Sequence, residues 1–427
     1  MPQLEIVFIF YPWETIGGAI TRTVNLIKAL SKHYRINFLI LPPRRLTVLA
    51  SLMKMLSDLE RKNLIKVYII PTKISKLRVE EFDFNMFAKT LVSIYKFLPK
   101  RSQKPKYRFV LYSRHPLYLM FASSLAGKPL GIPSITEIHH HIYAGYRNAV
   151  LRFLLKILEW LTLNISTLIV VNSEVFYNEL RNGALKLHPE KLVLIRNCIN
   201  LEELTYLTKK ETNLGLTEKF DGDLIGFVGS LKPEEDIITL LKAFKTVQQS
   251  RSNTYLVIIG GGRAVELYKQ MVKILGLEER VIFLGEKSHE EAIKIMKKLK
   301  IFIALRGRNP RTEMAAPLKI VEALALGIPV IATDLPSIRE VVQDAAILVP
   351  PGDYKAVAEA ILNLLNEPAL RQALVEKGIR RIVNLNCENA ILPLLQALGV
   401  IANASQKETE LIKEDPSMQI HKTTTFC

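Results

Sequence analysis

The strongest constraint in this chain is a repeated alternation of short apolar runs with longer amphipathic stretches. Leu4 to Ile9, Ile36 to Leu41, Val67 to Ile70, Phe109 to Tyr112 and Ser134 to Ile138 each carry at most one charge. Between them apolar residues recur at helical spacing, as at Val24, Ile27 and Leu30. Strands too short to be helices, separated by helical patterns, must return by crossover connections. That predicts a parallel, doubly wound sheet.

A second series opens near residue 223. Leu224 to Val228, Tyr255 to Ile259, Val281 to Leu284, Ile301 to Leu305, Val330 to Ala332 and Ile347 to Val349 read as strands. Ile237 to Val247 and His289 to Leu299 read as helices between them. The polar stretch Leu201 to Asp223 separates the two series. The expected organisation is an N-terminal Rossmann-like domain over 1–205, a linker over 206–222, a C-terminal Rossmann-like domain over 223–400 and a polar tail over 401–427. Ligands of open parallel sheets bind beyond the carboxyl ends of the strands. Two such sheets facing each other put those ends across one cleft.

Apolar residues make up 49 % of the 427 residues and charged residues 23 %, which excludes a disordered or disulfide-scaffold chain. Cys198, Cys387 and Cys427 are odd in number, far apart and without C-x-x-C spacing. Reduced thiols, a cytoplasmic location and no zinc site are the expectation. The first residues carry no basic n-region, so no signal peptide is expected. The longest apolar stretch, Val150 to Val171, is interrupted by Arg152, Lys156, Glu159 and Asn164. It reads as an amphipathic helix followed by a buried strand, not as a membrane span.

The charge is uneven. The net charge is +17, and residues 1–200 hold 29 basic against 12 acidic residues, while residues 201–427 are balanced. The excess therefore belongs to the first domain. Nucleic acid, an anionic membrane surface or an anionic substrate would each answer it. No nucleic-acid-binding module accompanies it, and no nucleic-acid partner is expected. Arg44-Arg45 before the Met- and Leu-rich stretch Leu46 to Leu59, and Lys100 to Lys106, combine basic and apolar residues in a way that suits an anionic lipid surface.

Several motifs carry chemistry. Gly17-Gly18 lies between a strand and a helix, where backbone amides can approach a phosphate. Gly260-Gly261-Gly262 follows a strand but fails the G-x-G-x-x-G spacing of a dinucleotide site. Asp221-Gly222-Asp223 reads as a turn, and His139-His140-His141 lacks the spacing of a metal chelate. The densest region is Arg306 to Ser337. An Arg-rich loop there feeds a helix at Pro317, with Lys319 in its first turn and Glu322 one turn on. A helix N-terminus of this kind suits a diphosphate, and Glu322 suits ribose hydroxyls.

Together these segments resemble the GT-B glycosyltransferases, and among them the retaining family 4. The resemblance covers most of residues 4–400. It rests on Gly226-Phe227-Val228-Gly229-Ser230-Leu231, Leu256 to Gly260, Val281 to Gly285, and above all Pro317-Leu318-Lys319-Ile320-Val321-Glu322 through Gly327-Ile328-Pro329-Val330. It implies a nucleotide-sugar donor as substrate, no cofactor, no metal, and an acceptor handled by the first domain. A lipid-linked or polysaccharide acceptor and peripheral contact with the cytoplasmic face of a membrane fit the charge. Carried over by position, Gly17 and Gly18 approach the diphosphate or the acceptor, and His139 meets the donor sugar. Pro317, Leu318 and Lys319 lie at the diphosphate, and Glu322 holds the ribose. Three positions depart from the family pattern. Ser230 and Glu235 stand where the family commonly has Arg and Lys, and Met314 stands where it has a glutamate. Glu313 is then the expected catalytic carboxylate, one place off, and Ser230 and Lys232 the expected donor contacts. The runner-up readings are a degenerate GT-B subunit that binds nucleotide sugar without turnover and a sugar-nucleotide epimerase.

Overall fold

Among the described residues, seven parallel strands build the first sheet: β1 (Gln3–Phe10), β2 (Arg35–Ile40), β3 (Ile65–Ile69), β4 (Tyr107–Arg114), β5 (Ser134–Glu137), β6 (Leu168–Val171) and β7 (Leu192–Leu194). Six more build the second: β8 (Asp223–Val228), β9 (Thr254–Ile259), β10 (Val281–Gly285), β11 (Ile301–Ala304), β12 (Val330–Thr333) and β13 (Ala346–Val349). The computed structural model describes residues 3–12, 18–41, 46–70, 84–98, 107–209 and 221–414.

The strand orders are β3-β2-β1-β4-β5-β6-β7 and β10-β9-β8-β11-β12-β13. Every pairing is parallel, with Ile6 against Ile36 and Val110 in the first sheet, and Ile225 against Leu256 and Ile301 in the second. Helices cover both faces of each sheet, which is why the central strands are apolar on both sides. Phe8, for example, is fully buried and stacks on Tyr112 with ring centroids 4.5 Å apart. The expected two-domain α/β architecture is the observed one. Only β7, three residues long, escaped the sequence pattern, being too short for a periodicity to show.

Strand order reverses between β1 and β4, and again between β8 and β11. Loops leaving the carboxyl ends of neighbouring strands diverge at such a point and open a crevice. The segments after β1, β4, β8 and β11 are therefore the ones the topology assigns to ligand binding.

The domain boundaries differ from the expected ones. Cys198 belongs to the core of the first domain, whereas Ile199 packs into the second. The chain thus crosses before residue 206, and the helix Leu201–Lys209 already lies against the second domain. The chain also crosses back. Leu385 packs in the second domain, while Cys387, Ile391, Leu394 and Leu398 pack among Phe8, Val24 and Phe38 of the first. The helix Leu392–Glu414 therefore belongs to the first domain, and it contains the beginning of the expected polar tail.

The two crossings run side by side. Ile199 N donates to Leu385 O (3.1 Å), Cys387 N donates to Ile199 O (3.0 Å), and Cys198 and Cys387 form a disulfide with Cα atoms 4.9 Å apart. This corrects the expectation of reduced thiols. The 189 residues between them separate the cysteines in sequence only, because the fold returns the chain to its starting point. The cytoplasmic expectation drawn from cysteine usage loses that support.

The helix Leu46–Arg61 turns Val48, Leu52 and Leu56 into the first-domain core, so its apolar face is already covered. Lys100 to Lys106 lie outside the described residues. Among the described residues, no helix is long and apolar enough to cross a membrane.

Candidate active site

Both crevices open into one interdomain cleft of about 700 Å³. The first domain lines it with Gly18, Arg22, Arg114, His139, His140, Asn172 and Asn197. The second contributes Gly229, Ser230, Lys232, Glu235, Arg306, Arg311 and Pro317 to Lys319, with Glu322 and His289.

On the second-domain side, the helix Leu318–Ala325 points its N-terminus at the cleft. Its cap is Pro317, which supplies no side-chain acceptor, so no cap side chain engages the first-turn amides of Leu318 and Lys319. The ammonium of Lys319 sits 4.0 Å from the Phe227 ring centroid and 2.6 Å from Glu235 Oε2. Burial pushes Lys319 below the usual lysine range, and Glu235 acts against that shift. Arg306 follows β11; its Nη1 donates to Ala315 O (2.8 Å), and its Nε is buried without a hydrogen bond, 3.7 Å from Glu235. The loops after β8 and β9 touch: a Cβ at Gly260 would lie 1.9 Å from Gly229 O. Glycine is required there, and the contact leaves Ser230 and the exposed Lys232 on the cleft wall.

Glu322 Oε1 accepts from His289 Nε2 at 2.8 Å. Burial lowers His289, but the bond to Glu322 together with the charges of Glu322 and Glu203 outweighs it and raises the imidazole above its ordinary value. His289 opens the helix His289–Met296 in a different segment, which is why the sequence did not join it to Glu322.

On the first-domain side, the floor is a buried ionic network. Glu137, the last residue of β5, accepts from Arg22 Nε (2.8 Å), Tyr112 OH (2.7 Å) and His139 Nε2 (2.6 Å). Burial pushes the Glu137 carboxyl up, but Arg114, Arg22 and His139 together hold it well below the usual carboxylate range. The same burial, reinforced by Arg114, lowers His139 to about 4 despite Glu137. His139 is therefore neutral at pH 7. Because a carboxylate can only accept, Nε2 carries the proton and Nδ1 is left with a lone pair. Arg22 also donates to Ile195 O, Arg196 O and Asn197 Oδ1. Asn197 Nδ2 in turn donates to Ala316 O (2.6 Å) across the cleft. His140, lowered by burial and by Arg311, and Asn172, whose Oδ1 is buried without a partner, complete this wall.

The structure gathers most of the expected site. Gly18, His139, Ser230, Lys232, Pro317, Leu318, Lys319 and Glu322 all line the cleft. Gly18 starts the helix Gly18–Ser31 opposite the helix at Leu318, where an added Cβ would lie 3.7 Å from Leu318 Cβ. Gly17 lies outside the described residues. Glu313 is the correction. It does not line the cleft, and its carboxylate pairs with Arg308 Nε at 3.3 Å. The short helix Pro310–Met314 buries Thr312, which bonds Gly307 O (2.7 Å), and the next residue is turned away by a helical step. The sequence assigns no role to Arg22, Arg114, Glu137, Asn172 or His289: four of them act through partners far away in sequence, and Asn172 Oδ1 has no partner to reveal it.

Two family models match: Glycosyltransferase Family 4 over residues 16–203, and Glycosyl transferases group 1 over residues 211–381. This chain belongs to the group 1, family 4 glycosyltransferases. It is similar to a phosphatidyl-myo-inositol mannosyltransferase of Mycobacterium leprae, at 28 % identity over 44 % of this chain and 49 % of that protein. It is also similar to the capsular polysaccharide biosynthesis glycosyltransferase CapM of Staphylococcus aureus, at 23 % identity over 68 % of this chain and 74 % of CapM. The match thus spans about half the length of the first relative and three quarters of the second. Among solved structures, Anabaena HepE in complex with UDP-glucose superposes with a TM-score of 0.66 at 16 % identity, covering 93 % of this chain and 99 % of that one. The fold of this group 1 chain is therefore GT-B.

Proposed function

We propose that this chain transfers a sugar, with retention of anomeric configuration, from a nucleotide-sugar donor to a lipid-linked or polysaccharide acceptor. The observation that carries the reading is the meeting, in one cleft, of the Leu318 helix N-terminus with Lys319, Arg306 and Glu322 on one side and neutral His139 on the other. The helix end and the two cations suit a leaving diphosphate, so the reading assigns that charge to protein groups rather than to a metal. Glu322, already a hydrogen-bond acceptor, suits a ribose. His139 Nδ1 is an acceptor for a sugar hydroxyl. In the retaining step the bond from anomeric carbon to diphosphate oxygen breaks as the acceptor oxygen bonds to the same face. The acceptor proton passes to the departing diphosphate.

Two observations support this acceptor class: the excess positive charge of residues 1–200, and the relatives named for phosphatidylinositol and capsular polysaccharide. The reading places the chain on the cytoplasmic face of a membrane. The test is a panel of UDP-, GDP- and ADP-sugars with lipid-linked and oligosaccharide acceptors, with and without EDTA, and the product anomer read by NMR. Transfer with retention, unaffected by EDTA, is the expected result. No transfer and no thermal stabilisation by any nucleotide sugar overturns the reading.

A second reading, a subunit that binds nucleotide sugar without turnover, is favoured by one observation: Glu235 holds Lys319 at the diphosphate side. Thermal stabilisation by a donor, with no product from any acceptor, would select it.

A further inference from the structure

Among the described residues, nothing covers the outer apolar face of the helix Ala149–Ile165. Leu155, Glu159, Thr162 and Leu163 bury its inner side. Val150, Phe153, Leu154, Ile157, Trp160 and Leu161 are all exposed, with Val150 at 70 %, Phe153 at 63 % and Trp160 at 47 %. At 3.6 residues per turn they fall within about a third of the circumference, in one stripe. A stripe of this size on a soluble surface marks an interaction site.

The exposed charges of the helix and of the residues leading into it are of one sign. Arg147, Arg152 and Lys156 are exposed on or beside the helix. Its one acidic residue, Glu159, is buried, where it accepts from His141 Nδ1 (2.7 Å) and Ile142 N (2.7 Å). A second copy of this chain is a poor occupant, since a self-complementary contact would bring these cations against their own images with no exposed acid on the helix to pair them. A bilayer with anionic headgroups answers both features, because its acyl boundary takes the apolar stripe and its surface takes the cations. Trp160, apolar with one N–H donor, suits the interface between the two.

We propose that the outer face of the helix Ala149–Ile165 docks this chain onto an anionic lipid surface. This replaces the segment 46–59, whose apolar side is buried, as the membrane-facing element. It deepens the surface-bound part of the function proposed above and rests on that reading only for the acceptor's being there. The helix begins ten residues after His139, and Glu159 anchors it to His141, so the docked element is continuous with the cleft wall.

The test is co-sedimentation of the full chain with phosphatidylcholine vesicles, with and without phosphatidylglycerol. Wild type is expected to pellet with the anionic vesicles, less at high salt, with a blue shift in tryptophan emission. The double variant Phe153→Ser/Trp160→Ser should partition about tenfold less or weaker, and Arg152→Glu/Lys156→Glu should lose the preference for anionic lipid. Unchanged melting temperatures confirm that the variants are folded. Wild type left in the supernatant, variants pelleting like wild type, or equal pelleting with neutral and anionic vesicles overturns the proposal. A concentration-dependent dimer abolished by Phe153→Ser/Trp160→Ser, without vesicle binding, overturns it in favour of a second copy. Vesicle binding uses no sugar, so the docking face can fail while transfer stands, and the reverse.

Discussion

Lys319 Nζ and Glu235 Oε2 lie 2.6 Å apart, both largely buried, at the point where the second-domain helix meets the cleft. The ammonium best placed for a diphosphate is thus already paired with a carboxylate. A donor diphosphate must compete for it. Glu235→Gln keeps the side-chain shape and removes the competing charge. Nucleotide diphosphates should bind about tenfold tighter to this variant, roughly 1.4 kcal/mol, by isothermal titration calorimetry. Lys319→Ala should move affinity in the opposite direction by about 1.5–3 kcal/mol. If Glu235→Gln weakens binding, Glu235 is a support for the diphosphate site and not its competitor.

Glu322 and His289 make the complementary case. Glu322 Oε1 is held by His289 at 2.8 Å, which fixes the carboxylate while leaving its other oxygen for a ligand. Glu322→Gln should weaken nucleotide sugars by about tenfold or more, because one charged acceptor for the ribose becomes neutral. His289→Ala should weaken them less, since it removes only the orienting bond. A thermal-shift titration with each donor checks both, and equal losses would place His289 on the ligand itself.

The contrast between Glu322 and Glu137 shows what the sequence could convey. Lys319 and Glu322 share one short segment behind a proline, so the helix start, the cation and the carboxylate are visible together. Glu137 ends an apolar strand and looks like an isolated charge. Its meaning depends on Arg22, 115 residues earlier, and on Tyr112, each delivered by a different strand or helix of the same sheet. Glu313 shows the opposite failure. A motif offset of one residue is a rotation of about 100° on a helix, and that suffices to turn a carboxylate from the cleft to Arg308. The alternation of strands and helices specified the two sheets, because periodicity is local. The crossings at Cys198 and Cys387 are a property of the whole chain path.

The His139 imidazole gives a pH dependence with a definite sign. Its pKa in the folded protein is about 4, below the ordinary 6.5. Between those values the unfolded chain binds more protons than the folded one, so stability rises with pH across that window. The contribution is fully present above about pH 6.5 and is lost as pH falls through about 4, at most about 3 kcal/mol. Glu137, held well below the usual carboxylate range, adds a loss of the same sign at still lower pH. His141 and His289, both raised, act in the opposite direction, their stabilisation being lost as pH rises past their folded values. Melting temperatures of wild type and His139→Gln should therefore diverge most near pH 7 and converge toward pH 4. A constant difference across that range would show that His139 titrates normally.

The Cys198–Cys387 disulfide closes a loop of 189 residues around the entire second domain. It lies where Ile199 and Leu385 already bond the two crossings together, so it constrains the hinge as well as the unfolded chain. Loop closure of this length corresponds to about 5 kcal/mol of stabilisation, at the upper end of the roughly 2–5 kcal/mol that losing a native disulfide costs. Cys198→Ser/Cys387→Ser should lower the melting temperature by several degrees, and dithiothreitol should do the same to wild type but not to the variant. Intact mass before and after reduction reports the bond directly. The hinge adds a second readout: with the link cut, the two crossings are held by hydrogen bonds alone, and amide exchange at Ile199 and Cys387 should accelerate at temperatures far below global unfolding. If exchange there tracks global unfolding in both proteins, the disulfide acts on the unfolded chain alone and the hydrogen-bonded crossings hold the hinge without it.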